Sequence, residues 1–134
     1  MNGIRKLRLV VLISGRGSNL QALLDQSASG ELSAEVAAVI SNQHGVYGLE
    51  RARQAGVPAL ELDHRRFADR PGFEAVLIEL IDRYSPDLVI LAGFMRVLTA
   101  GFTEHYRGRL LNIHPSLLPK FRGLHTHERA IAAG

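Results

Sequence analysis

Cysteine is missing from the 134-residue sequence. Its absence excludes disulfides, thiolate metal sites and a cysteine nucleophile, and leaves the compartment open. No apolar run approaches the roughly 18–20 residues needed to cross a bilayer. Residues 1–8 are charged, and the run they lead into is too short and too mixed for a signal-peptide core. The cytosol is therefore the expected compartment, and no membrane partner is expected. The chain carries 16 Lys and Arg against 13 Asp and Glu, a formal charge of +3, with an isoelectric point of about 9.8. That balance suits an anionic small molecule. The basic residues are scattered, with no stripe of the kind that binds nucleic acid, so no nucleic-acid partner is expected. Internal repeats, low-complexity segments and linkers are lacking too. With 46% hydrophobic and 22% charged residues, a single domain over residues 1–134 with a real core is expected.

What is present alternates between strand and helix signals. Leu7–Ile13 is apolar and β-branched and predicts a central parallel strand. Ser14-Gly15-Arg16-Gly17-Ser18-Asn19 follows at once, and Leu20, Leu23 and Leu24 then mark a helix. Strand, glycine loop and helix start form an anion-binding arrangement. Glycine lets the backbone approach a phosphate, and free N–H groups at the helix start face it. A plain tight turn is the competing account. A dinucleotide fingerprint needs a third glycine where Leu20 stands, and an acidic residue where the second strand ends in Ser41-Asn42. Both absences argue against NAD.

Gly30 closes the first helix. Residues 36–40 predict a second strand, 45–55 a helix ended by Gly56-Val57-Pro58, and 59–62 a short third strand. The charged run 63–72 reads as a solvated loop. Phe73, Val76, Leu77, Leu80, Ile81 and Tyr84 form a helical apolar stripe for the core, and Ser85-Pro86 stops that helix. Residues 88–91 predict another buried strand, followed by Gly93, which permits close backbone approach at its carboxyl end. The alternation predicts a doubly wound α/β fold with a mostly parallel sheet of Rossmann-like order.

The stretch 110–123 carries the strongest chemistry. Leu110-Leu111-x-Ile113 reads as a buried strand, with Asn112 and His114 at alternate positions. Residues two apart on a strand share a face, so an amide donor and an imidazole stand side by side where Pro115 ends the ladder. The amide can steady a developing oxyanion, and the imidazole can move a proton near neutral pH. Asn and His at a strand end can equally do no more than tie down a loop. His-x-His at 125 and 127, with His114, admits a weak zinc reading. Thr126 instead suits the cap of a last helix over 126–133.

Asn-Ile-His-Pro-Ser-Leu-Leu-Pro at 112–119, Leu-Ala-Gly-Phe-Met-Arg at 91–96 and Ser-Gly-Arg-Gly-Ser-Asn-Leu at 14–20 stand in one order. Together they resemble the folate-dependent formyltransferases, in particular the branch whose acceptor is glycinamide ribonucleotide. Three motifs in register are far more specific than one. The resemblance runs from about Leu9 to Gly134. It implies transfer of a formyl group from 10-formyltetrahydrofolate, a co-substrate, to the amine of glycinamide ribonucleotide in purine synthesis, with no metal. It implies that Gly17, Ser18 and Asn19 hold the ribonucleotide phosphate. Arg70, Met95, Arg96, Val97, Leu98 and Asn112 would contact the formyl-folate. Asn112 would also be the oxyanion donor and His114 the general acid/base. By residue type alone, Met95 and Leu98 fit a core role as well.

Relatives in this family run on for several tens of residues past the match. That region supplies further strands and an Asp that hydrogen-bonds the catalytic His, and no residue here takes its place by motif. The resemblance thus implies a sheet truncated at its C-terminal end, with an edge that favours self-association. An inactive fragment or a non-catalytic phosphate-binding module also fits the Gly-Arg-Gly-Ser-Asn loop, although the Asn112/His114 pair argues for chemistry. Methionyl-tRNA formyltransferase is echoed by Phe121-Arg122-Gly123 but carries an RNA-binding domain. Formyltetrahydrofolate deformylase carries a domain ahead of the first strand, and only six residues precede Leu7.

Overall fold

The computed structural model describes residues 6–113. Five strands and four helices alternate along them. They are β1 (Leu7–Ile13), α1 (Ser18–Ser29), β2 (Ala34–Ser41), α2 (Tyr47–Gln54), β3 (Ala59–Glu61), α3 (Arg70–Asp82), β4 (Leu88–Leu91), α4 (Ala100–His105) and β5 (Leu110–Asn112). A 3-10 turn, His64–Arg66, precedes α3. The strands form one sheet in the order β3-β2-β1-β4-β5, and every pairing is parallel. This is the doubly wound, Rossmann-like order. The chain runs outward from β1 through β2 to β3, then crosses back to place β4 on the other side of β1.

The crossovers put helices on both faces, so the strands read as continuous apolar runs rather than alternating ones. On one face Leu9, Val11 and Ile13 pack with Leu20, Leu23 and Leu24 of α1 and with Leu49 and Ala52 of α2. On the other, Val10, Leu12 and Val89 pack with Phe73, Leu77 and Ile81 of α3, with Phe102 of α4 and with Tyr106 just after it. The side chains of β1 thus divide between two cores, as the period of two requires.

The helix limits follow local chemistry. Gly30 closes α1 at φ 84°, a left-handed conformation that costs glycine little. After α3, Pro86 disfavours the helical conformation for Ser85, which turns out at φ 47°. The run 63–72 is not a loop throughout, contrary to the sequence expectation. Asp69 caps α3 by accepting from the Gly72 N–H at 2.8 Å, and Pro71 lies in the first turn. Proline there loses no helical hydrogen bond and has its φ preset, so Pro71-Gly72 opens a helix instead of breaking one.

No periodicity signals α4, whose six residues bury only Phe102. It is fixed by tertiary contacts at its end. The buried Tyr106 hydroxyl donates to Asp82 at 2.8 Å. Burial, reinforced by that carboxylate, pushes the ionisation of Tyr106 above the ordinary tyrosine range. Among the described residues, no helix is long and apolar enough to cross a membrane.

Candidate active site

In an open parallel sheet, ligands bind outside the carboxyl ends of the strands, at the point where the winding reverses. Here that point is the gap between the ends of β1 and β4. Register fixes what stands there. Ile40, Leu12, Leu91 and Asn112 lie in one lateral row across β2, β1, β4 and β5. At roughly 4.8 Å per strand spacing, Asn112 is about 10 Å from the end of β1.

The β1–α1 loop occupies one side of the gap. Gly17 takes φ 79° and is the N-cap residue of α1, with no side-chain cap bond. Its carbonyl accepts from Gln21 N–H at 2.8 Å, which starts the helix. The N–H groups of Ser18 and Asn19 precede the first intrahelical donor and lack helical acceptors. The expected phosphate residues Gly17, Ser18 and Asn19 therefore sit together at the start of α1, in anion-binding geometry. Arg51 of α2 braces the loop, donating through Nε to the Arg16 carbonyl at 2.6 Å and through Nη1 to Gln21 Oε1 at 3.1 Å.

Gly48, which the sequence reading did not single out, lets this loop lie against α2. Its N–H donates to the Gly15 carbonyl at 3.1 Å. A Cβ on Gly48 would stand 2.8 Å from that same carbonyl oxygen, and a Cβ on Gly17 would stand 2.8 Å from the Cα of Gly48. Two backbones meet here, and neither has room for a side chain. A glycine just inside a helix start was the available signal.

The β4–α4 segment forms the opposite wall. Met95 is 79% exposed and Val97 70% exposed, so neither serves the core, whereas Leu98 packs partly against the α3 face. The Arg96 guanidinium lies 6.0 Å over the Phe73 ring, at the outer reach of a cation–π contact. Its Nε is buried and has no hydrogen-bond partner among the described residues, an orphan donor that a polar ligand edge would satisfy. Arg70 is exposed in the first turn of α3, one turn before Phe73. Four of the expected folate residues, Met95, Arg96, Val97 and Leu98, thus form one strip, and Arg70 lies at the same end of α3 as the ring beneath Arg96.

A buried polar chain joins these walls, and it was not read from the sequence. The Met95 N–H donates to Ser14 Oγ at 2.6 Å. The Ser14 hydroxyl donates to Asn42 Oδ1 at 2.5 Å. The Asn42 amide then turns its Nδ2 toward His64 Nδ1, 3.1 Å away. Ser14 and Asn42 are both buried, so each of these groups needs its partner. His64 Nδ1 lies 3.1 Å from the Asn42 carbonyl oxygen as well, so the ring tautomer decides which contact is a hydrogen bond. Nitrogen-15 chemical shifts of the His64 ring separate the two: an unprotonated Nδ1 accepts from the Asn42 amide, and a protonated Nδ1 donates to the Asn42 carbonyl. Next to His64, the side chain and N–H of Arg65 bond the Asp63 carboxyl and hold it down to about 2. Ser14 and Asn42, polar residues directly ending two apolar strands, were the legible clue.

Asn112 ends β5, exposed between the buried Leu111 and Ile113. The Ile113 N–H donates to the Leu91 carbonyl at 3.1 Å, which holds the strand end beside β4. His114, the zinc alternative at His114, His125 and His127, and the Thr126 cap lie outside the described residues.

A glycine loop at a helix start and an exposed amide, two strands apart at the switch point of an α/β sheet, form an arrangement suited to an anionic ligand. Comparison with known sequences makes the class specific. Residues 7–134 match the formyl transferase family, and the chain belongs to it. It is 53% identical over 128 residues to phosphoribosylglycinamide formyltransferase of Escherichia coli K12, a match covering 96% of this chain and 60% of that protein. It is 54% identical over 133 residues to the trifunctional purine biosynthetic protein adenosine-3 of Drosophila melanogaster, covering 97% of this chain and 10% of that protein. Among solved structures, phosphoribosylglycinamide formyltransferase of Coxiella burnetii superimposes with a TM-score of 0.78 at 53% identity, over 97% of this chain and 61% of that one. Phosphoribosylglycinamide formyltransferase of Brucella melitensis gives 0.79 at 42% identity, over 97% of this chain and 68% of that one. The chain thus spans less than two thirds of the length of the E. coli and Coxiella proteins.

Proposed function

We propose that this chain carries the nucleotide loop and the transfer edge of an enzyme that moves the formyl group of 10-formyltetrahydrofolate to the amine of glycinamide ribonucleotide. The observation that carries this reading is the row Leu12–Leu91–Asn112. It sets an amide donor two strands away from the phosphate loop and beside the exposed 95–98 strip. A phosphoribosyl group with a glycinamide arm is long enough to run from the loop to Asn112. The pterin would lie on the strip, with Arg96 offering its orphan donor and Arg70 at the outer end.

In this reading the substrate amine attacks the formyl carbon and gives a tetrahedral intermediate. Asn112 donates to the oxyanion, at the point where negative charge develops. His114 takes the proton from the attacking nitrogen and returns it to the folate nitrogen as the carbon–nitrogen bond to the donor breaks. Formyl leaves one nitrogen and arrives on another, with no net redox change. The proton stays with the reactants, so neither a metal nor a covalent enzyme intermediate is needed.

His114→Ala tests the proton-transfer role. Turnover is expected to fall by roughly 10²–10⁴-fold, the usual contribution of a positioned acid–base group. Binding of both substrates should persist, as read by calorimetry on the same preparation. Near-normal turnover in that variant would remove His114 from the mechanism.

A further inference from the structure

Glu74 is a charged residue of α3 that is only 4% exposed. Burying a carboxylate is costly unless it is hydrogen-bonded, and this one faces another element of the fold. Its Oε2 accepts from the Thr99 N–H at 2.7 Å, and its Oε1 accepts from the Thr99 hydroxyl. Thr99 is the N-cap of α4, a position where threonine ordinarily turns its oxygen to the helix's first N–H groups. It makes no such bond here; its hydroxyl hydrogen goes to Glu74. The cap residue serves a tie between α3 and the end of the 95–98 strip in place of its own helix.

That tie is one of two. At the other end of the strip the Met95 N–H is held by Ser14 Oγ at 2.6 Å. Between these anchors Met95 and Val97 face outward with little packing of their own. A segment with exposed apolar side chains holds one conformation only if its backbone is fixed from below. We propose that Glu74 is a positioning residue: by clamping Thr99 it fixes the 95–98 strip in the shape that receives the formyl donor. The proposal rests on the reading of that strip as the folate wall. Glu74 lies in α3, and among the described residues its hydrogen bonds run to Thr99 rather than to the nucleotide loop. Its effect therefore falls on one substrate.

The test compares Glu74→Ala, Glu74→Gln and Thr99→Val with wild type by steady-state kinetics and amide exchange in the full chain. In Glu74→Ala, exchange at Thr99 and Met95 is expected to accelerate while the ladder amides of Val10 and Val89 keep their protection. KM for 10-formyltetrahydrofolate should rise about tenfold or more, the effect of losing buried hydrogen bonds. KM for the ribonucleotide and kcat at saturating donor should stay within about threefold, because only donor binding is lost. Glutamine keeps an acceptor for the N–H and a partner for the hydroxyl, so Glu74→Gln should restore both readouts. Thr99→Val keeps the N–H bond and should fall between. If alanine prevents folding, the Gln and Val variants still decide.

An unchanged donor KM and unchanged Thr99 exchange in Glu74→Ala would overturn the clamp. An equal rise of both KM values would reduce Glu74 to general stability. If wild type shows no formyl transfer, the functional reading fails, while the exchange pattern still judges the clamp by itself.

Discussion

Asn112→Ala is expected to lower kcat for formyl transfer by about 10²–10³-fold, the range seen when one oxyanion donor is removed from a preorganised site. The fold should survive. Asn112 ends a strand, its side chain is exposed, and β5 is held by Leu111 and Ile113 on the other face. In the proposed mechanism the amide offers an N–H to an oxygen that carries full charge only in the tetrahedral intermediate. Loss of that donor therefore raises the barrier more than it weakens substrate binding. Asn112→Asp sharpens the case. Its shape is nearly unchanged, but a carboxylate would repel the oxyanion, so it should be at least as damaging as alanine. Single-turnover rates with both substrates saturating will show this. An Asn112→Ala enzyme within about threefold of wild type would mean that the oxyanion is held elsewhere.

Gly48→Ala should impair nucleotide binding without touching the ligand. Alanine favours a helix interior by about 1 kcal/mol over glycine, so propensity alone predicts stabilisation. Sterics decide otherwise. The new methyl would run into Ile13 Cδ1 and stand 2.8 Å from the Gly15 carbonyl oxygen, which is backbone and cannot swing aside as a side chain can. Forced overpacking costs about 1–3 kcal/mol, enough to cancel the propensity gain and displace the loop. The displaced segment runs through Gly15 to Gly17, whose φ of 79° aims the first N–H groups of α1. The expected result is a rise of about tenfold or more in KM for the ribonucleotide, with donor KM nearly unchanged and the melting temperature equal or lower. A more stable protein with normal nucleotide KM would show that the loop does not depend on this contact.

The two variants separate what the chain states openly from what only the fold reveals. The strands were readable because parallel strands covered on both faces are plain apolar runs; Leu7–Ile13 and Leu88–Leu91 appear where expected. The loop and Asn112 were readable because glycine and polar residues interrupt those runs at strand ends. The start of α3 was not, since Pro71-Gly72 looks like a break until Asp69 is seen to cap it. Helix α4 escaped for a different reason: six residues have too few turns to show a period, and its place is set by Phe102 and Tyr106. Ser14, Asn42, Gly48 and Glu74 matter through contacts 22 to 81 residues away in sequence. Local composition marks such residues at most as a polar strand end or a glycine at a helix start, and says nothing of the partners they meet.

The most direct test of the account is transfer itself. Formyl-labelled 10-formyltetrahydrofolate and glycinamide ribonucleotide should be mixed with the protein, its intact mass checked on the same sample, and the label followed by carbon-13 NMR. The account predicts that the label moves from the folate nitrogen to the glycinamide nitrogen, and that Asn112→Ala slows the movement in proportion to its kcat. Label released as free formate, or label that stays on the folate while both ligands bind, would contradict it.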